Sequence, residues 1–497
     1  CSIFPGSDLP YFGSTSAVFT MMNLRDVSYL LVGSTTGKIG ITLLFLLITI
    51  SLYVGLSYPG NFGKEIWGNP AHWADNPKSV PPTWTNLLTS EKLAEHSVLM
   101  VSETNESTAY GSQKIDVFRL PFTFEAENFP SFLSLSLFDV EFEENPPIIS
   151  VFLRRPDGTS PLLFRHVPQG PRTGENHPIN RYNITPMRVV MSNDPTVLNN
   201  LVNFHNRTSG GSLSVRDLDS NGIRATFGTI ENESPESFTL LNGPYEFIIE
   251  VLHKDELGTM GTIKIVVGGS VYGIMGTDSL GRDLGVGLLF GFPVALIIGI
   301  LASTLTTGLG TFLGILSGYY GGWVDIIIQR ASDVVANIPV LPILIFLVFI
   351  FGSNLYLIIL ILVAFSWPSL TILIRAMVLQ LRTGQIVEAS QVLGASNRWI
   401  MFRHIFPQTA PFVFAQMIFF TPAAILAEAG LSFLGLGDPS IPTWGQILEQ
   451  GFRTGAVYQG YWWWVMPPGL LIIVTAVTFA LLALALEPIM NPKLRES

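Results

Sequence analysis

The stretch EASQVLGASNRWIMFRHIFPQ, from Glu388 to Gln408, is a polar segment that separates two long apolar segments of the chain. Apolar residues recur along it with a helical rhythm, with a glycine in its first half and a proline near its end. Three basic or titratable side chains, Arg398, Arg403 and His404, lie between the apolar positions. The pattern alone is compatible with two structures: an amphipathic helix lying on lipid headgroups, or a helix–Gly–helix loop that docks a partner.

The composition around this stretch is that of a membrane protein. The chain has 497 residues, of which 48% are hydrophobic and only 13% are charged, and its mean hydropathy is +0.43. The formal charge of −10 comes without a basic stripe, so we expect no nucleic-acid partner. The single cysteine, Cys1, excludes an internal disulfide framework and a multi-cysteine metal site.

The first predicted membrane span is Ile39 to Tyr58, which has the length of about 20 residues that a helix needs to cross a bilayer. Arg25 and Lys38 precede it, so the positive-inside rule places residues 1–38 in the cytoplasm and the segment after the span outside. The glycine-rich run that ends at Lys38 lacks the spacing and the Ser or Thr of a phosphate-binding loop.

Residues 59–275 contain no apolar run long enough to span a membrane, and they predict an external β-rich domain, most simply a sandwich. Short apolar stretches predict strands at Phe132–Phe138, Ile148–Leu153, Tyr245–Leu252 and Thr262–Val267. The histidines are scattered and suggest no metal site. Glycosylation sequons occur at Asn105, Asn183, Asn206 and Asn232. The segment is so rich in Asn, Ser and Thr that chance alone would supply about this number.

Five further spans are predicted in residues 276–492, at Leu288–Leu316, Ile338–Phe351, Leu355–Met377, Phe412–Gly430 and Trp464–Leu486. The second of these is short for a span, and we expect it to begin nearer Ile326. Counting from a cytoplasmic N-terminus, the loop 384–408 and the tail 493–497 both fall in the cytoplasm, where their basic residues also place them. The run Tyr461 to Trp464 predicts an aromatic belt at the membrane surface, with an outer gate as the alternative.

The spacing inside the central stretch resembles a known family. Glu388-Ala389-Ser390, followed by Gly394 and by the ending His404-Ile405-Phe406-Pro407, resembles the EAA loop of ABC-importer permeases of the dipeptide/oligopeptide (peptide/nickel) type, second-permease branch. Ser390 stands where that family usually has a second Ala, and Phe406 where it usually has Leu.

Three more motifs support the resemblance, in the order expected for the family. They are GTDSLGRD at 276–283, SGYYGGWVD at 317–325, and LSFLGLG at 431–437 followed by PTWG at 442–445. The resemblance covers residues 276–492 and, by topology, the first span. It does not cover the external domain, because such permeases usually have a shorter loop there.

The resemblance implies a type I ABC importer fold with six transmembrane helices, carrying here an inserted β-rich domain. It implies that loop 384–408 is the coupling helix that enters a groove on a cytoplasmic ATPase. The residues it assigns to this coupling are Glu388, Ala389, Ser390, Gly394, Ala395, Arg398, Arg403, His404 and Pro407.

The resemblance also implies partners: a second homologous permease, two ABC ATPase subunits, an extracytoplasmic solute-binding protein and the lipid bilayer of the cell membrane. ATP and Mg would bind the ATPases, so this chain is expected to have no cofactor, no metal and no catalytic residue. Peptides are the first expectation for the cargo, with oligosaccharides or nickel as alternatives within the same family.

Two other functional classes remain possible at this point, and the role of Glu428 is also open. A membrane-anchored receptor or adhesin would use the β-rich domain as its working part, and a channel or ion-driven carrier would need no ATPase. Glu428 lies near the outer end of the fifth span. It is either a transport-pathway residue or a glutamate paired or solvated at the interface.

Overall fold

The computed structural model describes residues 31–486 except 112, 210–211, 219–221, 231–237 and 256–257. Its helices are α1 Thr35–Ser57, α2 Pro195–Ser209, α3 Val215–Leu218, α4 Gly222–Phe227, α5 Leu284–Tyr320, α6 Gly322–Asn337, α7 Val340–Phe351, α8 Leu355–Arg382, α9 Gln385–Val392, α10 Asn397–Ile400, α11 Phe406–Phe433, α12 Trp444–Arg453 and α13 Trp462–Ala485. Helices α2–α4 belong to the β-rich part of the chain, and the others surround or follow it.

Among the residues that the structure describes, five stretches of helix are long and apolar enough to cross a membrane: α1, α5, α8, the continuous run Asn397–Phe433, and α13. Helices α6 and α7 pass the same test only as a pair, and they are bent by 81°. The bend lies at Ile338 and Pro339, where the extended backbone of Ile338 is the conformation that a following proline favours. The segment predicted as a span from Ile338 is therefore a helix of 12 residues, α7, with a break directly before it.

A stripe of glycines brings α5 and α8 into close contact. Gly310, Gly314 and Gly318 recur every four residues on one face of α5. A Cβ atom added to Gly314 would lie 2.7 Å from the Cβ of Ile374, and one added to Gly318 would lie 2.7 Å from the Cβ of Val378. The two backbones thus approach as closely as small-xxx-small packing of membrane helices allows.

The described part of the β-rich domain, residues 59–275, is built mainly from two antiparallel sheets that share one core, with a three-stranded and a two-stranded sheet in addition. Its strands are β1 Ser97–Val101, β2 Glu106–Tyr110, β3 Gln113–Phe124, β4 Phe132–Leu137, β5 Val140–Phe142, β6 Ile148–Arg154, β7 Leu162–His166, β8 Ile179–Arg181, β9 Met187–Val190, β10 Gly228–Ile230, β11 Phe238–Leu240, β12 Gly243–His253, β13 Thr259–Met260 and β14 Ile263–Gly268. The four-stranded sheet has the order β1-β14-β4-β9 and the five-stranded sheet the order β2-β3-β12-β6-β7. Inward side chains of both sheets form one buried cluster, which confirms a β-rich inserted domain of sandwich type.

Alternation along the strands explains this core. Leu133, Leu135 and Leu137 of β4 are buried opposite Val267, Ile265 and Ile263 of β14. In the other sheet, Ile249 of β12 lies between Phe118 of β3 and Val151 of β6, and all three are buried. Apolar residues at every second position thus place one face of each sheet against the other.

The chain enters and leaves this domain through two segments that bind each other. Val80 and Pro81 of the entering segment accept backbone hydrogen bonds from Thr277 and Tyr272 of the leaving segment, both at 2.9 Å. Asp75 of the entering segment forms ion pairs with Arg188 of β9 and Lys264 of β14. The paired segments therefore form a stalk between the sandwich and the membrane helices.

The GTDSLGRD motif fixes the stalk to the membrane part. Asp278 and Arg282 are buried and form an ion pair of 2.5 Å, and the Arg282 guanidinium lies 4.3 Å from the ring centroid of Trp67. Arg282 also donates a hydrogen bond to Gln450 of α12. Asp283 then caps α5 by accepting from the backbone N–H groups of Gly285 and Val286.

The aromatic side chains at the start of α13 do not form the predicted belt at the membrane surface. Trp463 and Trp464 are buried inside the protein, where their indole N–H groups donate to the carbonyls of Thr277 and Ile447. Only Tyr461 and Trp462 of the run keep partial exposure. Helical geometry turns adjacent residues to different faces, so four consecutive aromatics cannot all face the membrane surface.

Candidate coupling site

The polar stretch Glu388–Gln408 contains most of the short helix α9, a tight turn, and the beginning of the continuous helical run Asn397–Phe433. Helix α9 ends in a left-handed glycine, Gly394, with φ of 81°. The Ala395 N–H donates to the carbonyl of Ser390 and the Gly394 N–H to that of Gln391, both at 3.0 Å, which is the hydrogen-bond pair of a Schellman motif. Ser396 then caps α10 by accepting from the Trp399 N–H. The sequence therefore folds locally into a helix–Gly–helix loop.

The tip of this loop presents apolar side chains to solvent. Val392 is 88% exposed and Leu393 is 86% exposed. Two residues on the opposite face of α9, Val387 and Ser390, are buried, and Val387 packs with residues of α5 and α8. A loop that turns two aliphatic side chains outward beside polar neighbours has the character of a docking surface.

A buried apolar cluster joins the base of the loop to α5 and α8. From the loop and the π-helical turn Met401–Ile405, it takes Val387, Ile400, Met401 and Ile405. From α5 and α8 it takes Ile315, Tyr319, Leu370, Ile374 and Val378. The buried side chains of this cluster connect the base of the loop directly to α5 and α8, so a displacement of the loop would reach these helices through side-chain contacts.

Polar contacts at the same place were not foreseen from the sequence. The Tyr319 hydroxyl donates to the Asn397 side-chain oxygen at 3.1 Å, and Arg382 donates to the Tyr319 carbonyl at 3.2 Å. The Asp325 carboxylate accepts hydrogen bonds of 2.5 Å from Nε and Nη2 of Arg375 and so links α6 to α8. Tyr319 and Asp325 lie in the SGYYGGWVD motif, which was the available signal; their partners are too distant in sequence to be inferred from it.

The structure brings the predicted coupling residues together on this loop, but with different exposures. Glu388, Ala389, Gly394, Arg398 and Arg403 are exposed, Ser390 is buried, and Ala395, His404 and Pro407 are partly buried. The Ser390 hydroxyl donates to the Ile386 carbonyl at 2.7 Å, and the His404 ring lies 4.8 Å from that of Trp399. Glu388 lies in the first turn of α9, where a carboxylate also stabilises the helix.

Glu428 is not part of this loop. It lies 22 residues after the start of α11, about 33 Å along a helix axis. Its side chain is buried and accepts a hydrogen bond of 2.6 Å from Ser432. Thr443, the N-cap of α12, lies beside this carboxyl group, so α11 and α12 meet at Glu428. A role for Glu428 in a transport pathway stays a prediction.

The candidate glycosylation sites that the structure describes are in two environments. Asn105 and Asn183 are exposed. Asn206 is partly buried. Its side-chain N–H donates to the Leu213 carbonyl, and its side-chain oxygen accepts from the Leu213 N–H. Asn232 lies outside the described residues.

Among the residues that the structure describes, no group of three or more His, Cys, Asp or Glu side chains is placed to bind a metal ion.

Comparison with known proteins identifies the family. A family model described as binding-protein-dependent transport system inner membrane component matches residues 310–496. The dipeptide transport system permease protein DppC of Bacillus subtilis is 34% identical over 221 residues, 44% of this chain and 68% of that relative. The oligopeptide transport system permease protein OppC of the same organism is 33% identical over 222 residues, 44% of this chain and 72% of the relative.

A third relative is the glutathione transport system permease protein GsiD of Pectobacterium atrosepticum. It is 35% identical over 225 residues, which are 44% of this chain and 73% of that protein. These matches and the apolar helices confirm the permease resemblance of the motifs. The chain belongs to the family of binding-protein-dependent transport system inner membrane components.

Proposed function

We propose that this chain is a permease subunit of an ATP-driven ABC importer for peptides and supplies half of the translocation pathway. Its family membership supports the importer class. The three relatives compared above are named for dipeptides, oligopeptides and glutathione, which are all peptides, and this favours a peptide cargo. Oligosaccharides and nickel are the alternatives that the cargo test must separate.

The observation that carries the coupling role is the helix–Gly–helix loop with Val392 and Leu393 exposed at its tip. In the proposed mechanism, this tip enters a groove on a cytoplasmic ATPase subunit. Closure of the ATPase pair on ATP moves the loop, and the cluster around Ile400 and Tyr319 passes that movement to α5 and α8. ATP thus shifts the permease between inward- and outward-facing states because it favours one of them by differential contacts.

The proposal fixes the orientation and the partners. Both termini and loop 384–408 lie in the cytoplasm, and residues 59–275 lie outside. A second homologous permease completes the pathway, two ATPases bind ATP and Mg, and an extracytoplasmic solute-binding protein delivers the cargo. This chain acts without catalytic residues or a cofactor of its own.

The test uses the loop tip. The tagged chain is purified from its native membrane with its accompanying chains, as wild type and as the double variant Val392→Asp/Leu393→Asp. We expect the variant to lose the ATPase subunits, because two carboxylates replace the apolar docking surface, while the second permease still co-purifies. The matched control is Ile184→Asp, since Ile184 is 91% exposed but lies in the external domain.

Reconstituted complexes then decide the cargo. ATP-driven uptake is measured with labelled short peptides, oligosaccharides and nickel. Uptake of peptides alone supports the proposal, and uptake of another cargo corrects the substrate class. Transport that continues in the double variant, or recovery of the wild-type chain without ATPases, would instead support a carrier or a receptor.

A further inference from the structure

Five apolar side chains form a patch at the base of the stalk, which we call the collar patch: Trp84, Leu87, Leu88, Ile274 and Trp462. Leu87 is 85% exposed, Leu88 is 77% exposed and Ile274 is 74% exposed. Large aliphatic side chains exposed side by side on a water-facing domain indicate contact with another apolar phase.

The patch is held together by specific contacts. Residues Thr83–Leu87 form a 3₁₀-helix, in which Trp84 and Leu87 share a face because the helix has three residues per turn. The Trp84 indole N–H donates to the Ile274 carbonyl at 2.8 Å, and its ring lies 5.4 Å from that of Trp462. Thr83 donates to the Gly273 carbonyl through its backbone and its hydroxyl, so the short helix is fixed to the stalk.

The patch continues an exposed stripe of a membrane helix. Residues spaced by three or four positions on α13 share one face, and those exposed on this face are Trp462, Met466, Leu470, Ile473 and Val477. The stripe runs for about 22 Å along the helix, most of the apolar thickness of a bilayer. Trp462 is its outermost member and contacts Trp84, so the collar patch lies where this stripe leaves the bilayer.

Polar residues resume directly beyond the patch. Thr89, Ser90, Glu91 and Lys92 are all exposed and follow Leu88 in the chain. The exposed apolar side chains of this segment are therefore confined to one helical turn, which suits an interfacial contact and not a span. Tryptophan at this level also matches the preference of its ring for the headgroup region.

We propose that the collar patch inserts into the outer leaflet of the membrane, at the boundary between lipid headgroups and acyl chains. The 3₁₀-helix Thr83–Leu87 is thereby a second membrane contact of the external domain, besides the stalk. It fixes the tilt of the sandwich relative to the membrane surface. This proposal does not depend on the cargo or on the coupling loop.

Nitroxide labels measure the depth directly. The sole cysteine, Cys1, is replaced by serine, and single cysteines are introduced by Leu87→Cys or Leu88→Cys in the full chain, purified with its accompanying chains. The complex is reconstituted in vesicles of phosphatidylcholine and phosphatidylglycerol. Collision of each label with oxygen, which concentrates in lipid, is compared with collision with a water-soluble nickel chelate. Leu470→Cys is the lipid reference and Ile184→Cys the water reference.

We expect the oxygen-to-chelate collision ratio at positions 87 and 88 to lie well above that at Ile184, shifted towards the value at Leu470. A ratio equal to that at Ile184 would show that the patch faces water and would overturn the proposal. Protection from both reagents would also overturn it, because it would show that a partner protein covers the patch. Purifying the same labelled chain without its accompanying chains would then show whether that partner is one of them.

Discussion

Gly394 occupies a backbone conformation that other residues adopt only at a cost. Its φ of 81° is left-handed, and no atom lies within 4 Å of the position that a Cβ would take. A Gly394→Ala variant therefore meets no steric clash, but it pays about 1–2 kcal/mol of backbone strain at the turn. We expect lower ATP-driven uptake with unchanged amounts of chain in the membrane, measured in reconstituted vesicles.

Gly469 provides the control for this prediction. It lies in α13, has no positive φ and has equally open surroundings. Gly469→Ala should leave uptake unchanged. Equal uptake by the Gly394 and Gly469 variants would mean that the Schellman turn is not needed for coupling.

The Asp278–Arg282 ion pair should be costly to break. Both side chains are buried, so Asp278→Ala would leave the Arg282 charge without its carboxylate partner. Removing one member of a buried pair typically costs about 3–5 kcal/mol. We expect a loss of this order in the free energy of unfolding, measured by denaturant titration of the purified chain.

An exposed ion pair gives the comparison for that loss. Lys92 and Glu125 are 3.4 Å apart and both more than half exposed. Glu125→Ala should change the free energy of unfolding by less than about 1 kcal/mol. Similar losses in the two variants would show that burial does not set the strength of the Asp278–Arg282 contact.

At the scale of elements, the α5–α8 contact depends on glycine. A Cβ at Gly314 would lie 2.7 Å from that of Ile374, whereas one at Gly308 of the same helix would have no neighbour within 4 Å. Gly314→Ala should destabilise the protein by about 1–3 kcal/mol through overpacking. Gly308→Ala should not destabilise it, because alanine favours the helix more than glycine does. Thermal unfolding of both purified variants measures the difference, and equal melting temperatures would contradict tight α5–α8 packing.

At the scale of the whole molecule, His96, whose ring packs against that of Tyr272 in the stalk, should make stability depend on pH. Burial lowers the pKa of His96 from 6.5 to about 4, against the opposing effect of the Asp75 carboxylate. Between these values the unfolded chain binds a proton that the folded chain does not, so stability is full above about pH 6.5 and falls as the pH decreases towards 4. The contribution of His96 to the slope of the free energy of unfolding against pH is at most about 1.4 kcal/mol per pH unit.

Unfolding of the purified chain at several pH values tests this slope. His96→Phe keeps a ring to pack against Tyr272, whose ring lies 5.2 Å from that of His96, but it cannot take up a proton. The variant should show a flatter decrease in stability between pH 6.5 and 4 than the wild type. An unchanged slope would assign the acid sensitivity to other groups.

Local sequence determined much of this protein. Long apolar runs predicted the membrane helices, short apolar stretches predicted strands β4, β6, β12 and β14, and the EAA-like spacing predicted the helix–Gly–helix loop. These features depend on neighbours within a few residues, since a helix or strand face and a left-handed turn are set by adjacent side chains. The four motifs were likewise sufficient to indicate the family.

Tertiary structure alone decided how these parts meet. It buried Trp463 and Trp464, bent the predicted span at Pro339, turned Glu428 towards α12, and joined Tyr319 to Asn397 across 78 positions of sequence. It also placed Trp84 beside Trp462 and so created the collar patch. Such contacts follow from the simultaneous packing of elements distant in the chain, and the periodicity of any one element does not contain them.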